Sequence, residues 1–81
     1  MDHFSELGRR TGMALRLAPD RAGLETLAQR WPNWTPSERA ALAIGLKRGL
    51  EIDGRDRVSG GVSLSAARAR LFSSLPELNL P

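Results

Sequence analysis

The reading of residues 36–52, PSERAALAIGLKRGLEI, decides the fold. Thr35 stands ahead of Pro36 as an N-cap and Glu38 follows three residues later. Thr-Pro-Ser-Glu is therefore a capping box with proline at the first helical position. At 100° per residue, Ala41, Leu42, Ala43, Gly45, Leu46, Gly49, Leu50 and Ile52 fall within one arc of roughly 200°. A helix that merely lies on a core needs about half of that, so this one is expected to touch neighbours on two sides. It is the central element of a small bundle.

Working outward, Leu24, Leu27, Ala28 and Trp31 follow the i, i+3, i+4, i+7 rule and predict a helix over 20–31, opened by Asp20 and stopped by Pro32. A helix over 5–17 precedes it. There Phe4, Leu7, Thr11, Ala14, Leu15 and Ala18 share one arc, and Glu6, Arg9, Arg10 and Arg16 lie opposite. Met13 and Leu17 fall among those arginines, which would expose them in a monomer. Ala18-Pro19 ends the pattern, because the residue before proline avoids the α region. Downstream, DGRDRVSGGV reads as an exposed loop over 53–62. Leu64, Ala67, Leu71 and Leu75 then predict a last helix over 64–75, with a tail over 76–81. The expectation is all-α: a single compact four-helix domain over 1–81.

Composition bounds the function. For 81 residues, about 60% of the extended chain's surface can be buried, enough for one thin core. Without cysteine there is no disulfide or thiolate metal site. MDHFSELGRR holds no apolar stretch of signal-peptide length, and the run from Ala40 to Leu46 is too short to span a membrane, so a cytoplasmic protein with no membrane partner is expected. The net charge is +3, yet each third of the chain carries only +1: five cations against four acids in 1–34, five against four in 35–57, two against one in 58–81. Phosphate binders usually concentrate charge on one face or arm.

Four constellations bear on function. Gly8 and Gly12 share the Gly-x-x-x-Gly spacing of Ala41, Gly45 and Gly49. Small residues so placed let backbones approach closely, which predicts packing of the first helix on the third or, alternatively, a homodimer seam. Trp31 continues an apolar stripe, whereas Trp34 precedes the N-cap, free to face a partner or to stack on Arg39. Ile44 and Met13 stand on polar faces and Arg68 on an apolar one. Lys47, Arg48, Arg55 and Arg57 cluster around the end of the central helix, either as a patch for phosphate or an acidic partner, or as cations against the negative helix terminus.

Chemistry is harder to find. His3 is the sole histidine, and there is no tyrosine or cysteine. Gly60-Gly61 lacks the Lys-Ser/Thr of a phosphate loop. Asp53 and Asp56 lie beside arginines, which lowers a carboxylate's pKa instead of preparing a general acid. No metal, cofactor or catalytic residue is expected. A helix–turn–helix reader would need a turn glycine where Pro32 stands and an aliphatic residue where Glu38 stands, and the central helix opens on an acidic first turn that suits a groove poorly. The expectation is a non-catalytic protein-binding module that regulates or inhibits a larger machine, with contacts through Met13, Trp34, Ile44, Arg48, Arg55 and Arg57. The alternatives are DNA or RNA binding through Lys47, Arg48, Arg55, Arg57, Arg68 and Arg70, and a homodimer through the glycine seam.

Overall fold

A computed structural model of the chain describes residues 3–51, 61–76 and 78, and its described elements are helical throughout. Helix α1 spans His3–Leu17, α2 Leu24–Arg30, α3 Pro36–Glu51 and α4 Leu64–Ser74. Single 3-10 turns at Pro19–Arg21 and Trp31–Asn33 flank α2. The all-α, four-helix architecture expected of the sequence is what forms. Among the described residues no helix is long and apolar enough to cross a membrane.

The capping box is made as the sequence demands. Thr35 N–H donates to Glu38 Oε1 at 2.8 Å, and Glu38 N–H donates to Thr35 Oγ1 at 3.2 Å. Two orphan amides at the start of α3 are thereby satisfied reciprocally. Ser63 caps α4 with a single bond, accepting from Ala66 N–H at 3.1 Å.

The helix expected over 20–31 is instead a 3-10 turn, a break and a short helix. Gly23 sits at φ 70°, ψ 26°, a left-handed conformation that cannot continue an α-helix. At the other end Trp31 belongs to the second 3-10 turn, closed by Trp34 N–H onto Trp31 O at 3.2 Å. The loop expected over 53–62 and the tail from residue 77 lie almost wholly outside the described residues.

The largest helix–helix interface joins α1 to α3. The two run parallel: Ser5 Oγ donates to Ala41 O at 3.3 Å, Gly8 faces Leu42 and Leu46, and Gly12 faces Leu46 and Leu50. A Cβ on Gly12 would stand 2.6 Å from Leu46 O and 2.7 Å from Leu50 N. One on Gly8 would strike Leu42 O, one on Gly45 Ser5 O, and one on Gly49 Arg9 O. Every obstacle is backbone. The homodimer seam considered above, Ala41, Gly45 and Gly49, is therefore occupied by the chain's own α1, because only glycine against glycine lets two helices lie this close.

On one side of this pair lie α2 and α4. Leu15, Leu42, Leu46, Leu50, Ala67 and Leu71 are at most 1% exposed and form the centre of the core, with Leu24, Leu27, Trp31, Leu75 and Leu78 around it. Arg16 departs from its expected place on the polar face. Fully buried, it donates from Nε to Val62 O at 3.0 Å and from Nη1 to Leu50 O at 2.5 Å, while its own carbonyl accepts from Val62 N–H at 2.8 Å. The physical reason is register: Arg16 follows Gly8 and Gly12 at the same spacing of four, so it projects toward α3 where α3 presents its last, unsatisfied carbonyls.

Two substitutions test this packing. In a free helix Gly→Ala stabilises by about 1 kcal/mol. Gly45→Ala is expected instead to destabilise by about 1–3 kcal/mol, because backbone must move, and thermal melting would record the loss; a raised melting temperature would refute the close approach. Arg16→Ala should cost roughly 3 kcal/mol or more through orphaned carbonyls and a cavity. A urea midpoint unchanged from the parent protein would show that the buried guanidinium contributes nothing.

Candidate docking face

Since α2 and α4 cover one side of the α1–α3 pair, the helical repeat fixes what the other side carries. On α1, Leu7, Thr11 and Leu15 turn toward the core, leaving Glu6, Arg9, Met13 and Leu17 on the far side of the glycine stripe. On α3, Leu42, Leu46 and Leu50 turn inward and Ser37, Ala40, Ile44 and Arg48 line the outward stripe. Parallel helices place these two sets on the same side of their seam. Met13 N lies 2.8 Å from where a Cβ on Gly49 would stand, and Arg48 immediately precedes that glycine. The structure thus brings Met13, Ile44 and Arg48 together on one face. Ile44 is 52% and Leu17 46% exposed there, and Met13 is half-buried.

The polar groups on the α1 half are tied down. Arg9 grips Glu6 in a two-pronged pair, Nη2 to Oε1 at 2.7 Å and Nε to Oε2 at 3.1 Å, and its Nη1 points at Met13 Sδ at 3.2 Å. Arg10 Nε adds an ion pair with Glu6 Oε1 at 3.7 Å. The hydrogen bonds from Arg9, opposed by desolvation and supported by the charges of Arg9 and Arg10, hold the Glu6 carboxyl below the usual carboxylate range. The same contact raises Arg9 above its ordinary value. Since Glu6 is depressed in the folded chain, what the pair contributes is present above the ordinary carboxylate pKa and lost as pH falls through the lowered one. Arg48, exposed on the surface, makes no ion pair among the described residues.

Trp34 lies elsewhere. It is half-buried at the N-terminal end of the helix pair, edge-on to Phe4 with ring centroids 5.0 Å apart and 6.1 Å from Trp31. The expected stacking of Arg39 on Trp34 is replaced by Arg39 over Trp31, 5.3 Å from the ring centroid. Two carbonyls set this choice: Arg39 donates from Nε to Trp31 O at 3.2 Å and from Nη2 to Pro32 O at 3.3 Å, which lays the guanidinium across Trp31. The turn at Trp31–Asn33 meanwhile swings Trp34 toward α1.

The remaining cations do not converge. Arg70 is exposed and bonded to Asp20 Oδ1 at 3.3 Å. Arg68, two residues earlier and therefore on another side of α4, is half-buried, with its Nε sealed from solvent and unpartnered. Lys47 is half-buried beside Arg48 on α3. Arg55 and Arg57 lie outside the described residues. No single stripe collects Lys47, Arg48, Arg68 and Arg70.

No protein-family model, no curated protein and no solved structure matches this chain. What it can do must be argued from its surface.

The Glu6–Arg9 pairing makes a direct prediction. Arg9→Gln should let the Glu6 pKa climb back toward its ordinary value in an NMR titration of the side-chain carboxyl, and an unmoved Glu6 would show that the pair does not form in solution.

Proposed function

We propose that this protein is a small, non-catalytic docking module, working in the cytoplasm, that binds another protein and thereby regulates or inhibits a larger machine. One observation carries the reading: Ile44, Met13 and Leu17 stand with Arg48, which has no ion-pair partner among the described residues, on the side of the helix pair that α2 and α4 leave uncovered. Single exposed apolar residues are ordinary on protein surfaces. Three on one side of a helix pair, with a guanidinium that has no ion-pair partner among the described residues, have the make-up of an interface core with an arginine anchor. The balanced charge and the scatter of Arg68 and Arg70 over different sides of α4 speak against direct nucleic-acid binding, so any link to nucleic acid runs through the partner.

The test is site-specific photo-crosslinking in the cell that makes the protein. A photoreactive residue in place of Ile44 should give a discrete adduct with another protein, and the same group in place of Thr26, exposed on α2, should not. Equal labelling from both positions, or none from Ile44, would overturn the reading.

A further inference from the structure

We infer that the open face of the α1–α3 pair receives an acidic amphipathic helix of the partner; this rests on the docking reading above and gives its partner a chemistry. The shape argument comes first. Where two helices lie in contact along glycines, their outward side chains form two ridges, here Arg9, Met13 and Leu17 from α1 and Ile44 and Arg48 from α3. A helix laid along such a pair sets its own apolar stripe between the ridges, at the i, i+3, i+4 and i+7 positions typical of groove binders.

Charge selects the kind of helix. The face and its borders carry Arg9, Arg10, Lys47 and Arg48 against Glu6 and Glu51. Glu6 is already engaged by two arginines, so its charge is answered within the chain. Glu51, the last residue of α3, lies one turn beyond Arg48 and at the level of Met13, and with it counted the described face still carries more cations than acids. Among the described residues Arg48 has no ion-pair partner, and an arginine desolvated by a docking helix requires a carboxylate. An apolar stripe flanked by Asp or Glu supplies that carboxylate and cover for Ile44 and Met13. A second copy of this chain fits less well, since among the described residues it would set Lys47 and Arg48 against the same two cations with Glu51 as the acid not already engaged. A phosphate backbone fits less well again, because Ile44, Met13 and Ala40 occupy the middle of the face where cations would be needed.

A displayed library of amphipathic helices, with a fixed apolar stripe and flanks drawn from Glu, Lys, Gln and Ser, panned on the full-length protein, decides the matter. Winners should be Glu-flanked. Their synthetic peptides should lose about tenfold or more in affinity to Ile44→Gln, and Arg48→Glu should shift preference toward Lys-flanked members. Both positions are exposed, so circular dichroism and melting temperature should stay at parent values, and binding is compared only between variants that meet this. Lys-flanked or neutral winners, no enrichment, or winners insensitive to Ile44→Gln would overturn the inference. So would a dimer in light scattering that Ile44→Gln dissolves, or equally tight binding of a DNA duplex probe. If the library fails while the crosslink from Ile44 succeeds, the docking reading stands and the helical partner falls; if both fail, both readings fall.

Discussion

Everything in this fold depends on backbone meeting backbone along α1 and α3. At Gly8, Gly12, Gly45 and Gly49 the hydrogen standing where a Cβ would be is directed at a carbonyl of the facing helix: Leu42, Leu46, Ser5 and Arg9 in turn. Contacts of this Cα–H···O kind contribute about 0.5–1 kcal/mol each. A glycine inside a helix costs up to about 1 kcal/mol relative to alanine. The two nearly cancel, so the seam's value lies in what closeness permits: dispersion between whole helix surfaces, with the leucines beside the seam packed to full burial. Neither helix has reason to carry two glycines unless the other is present.

Running parallel is the second consequence. The chain leaves α1 at one end and must enter α3 at the other, where Phe4 meets Trp34. Residues 18–35 therefore have to travel back over a helix of 15 residues, roughly 22 Å long. Gly23 and the two 3-10 turns bend that return path, and α2 supplies Leu24 and Leu27 to the core on the way. At the far end the seam needs a stopper. Arg16 continues the glycine stripe of α1, and its planar fork reaches both Leu50 O, at the end of α3, and Val62 O, just before α4. A leucine there would fill space but leave those carbonyls bare, and a lysine lacks the fork. The buried arginine joins three segments because it alone has donors spread in one plane.

The central helix, its capping box, the apolar stripe of α4 and the glycine pairing were legible in sequence because each is a local pattern with a fixed period. The break at Gly23 was hidden because the start of that helix was set by Asp20 as an N-terminal acid, whereas its apolar spacing begins only at Leu24, after the break. Arg16 was hidden by composition: an arginine among arginines reads as surface. The signal that could have found it was its spacing of four from Gly12. Arg39 had the right chemistry and the wrong ring, since the choice between Trp31 and Trp34 is made by two backbone carbonyls that no spacing rule reveals. On the candidate face, Met13 and Ile44 showed as residues in the wrong arc, but that they share a side required knowing that their helices run parallel.

That shared side follows from topology. A parallel pair has two faces, and this chain has two further helices to cover them. One of these, α2, is committed to the return path and lies on the same side as α4, so among the described residues nothing covers the second face. What would distinguish it, as a docking face, from a surface left over is the order of its side chains. Arg9 is fixed by two bonds to Glu6 and leans on Met13, so that ridge is already ordered before anything binds, and the entropy that docking must overcome is smaller by that amount. The α3 ridge is rigid for a different reason: its helix is held along its length by glycine contacts that leave no freedom to rotate. In the docking reading proposed above, a partner helix would gain affinity from such order, whereas a flat solvated face would not.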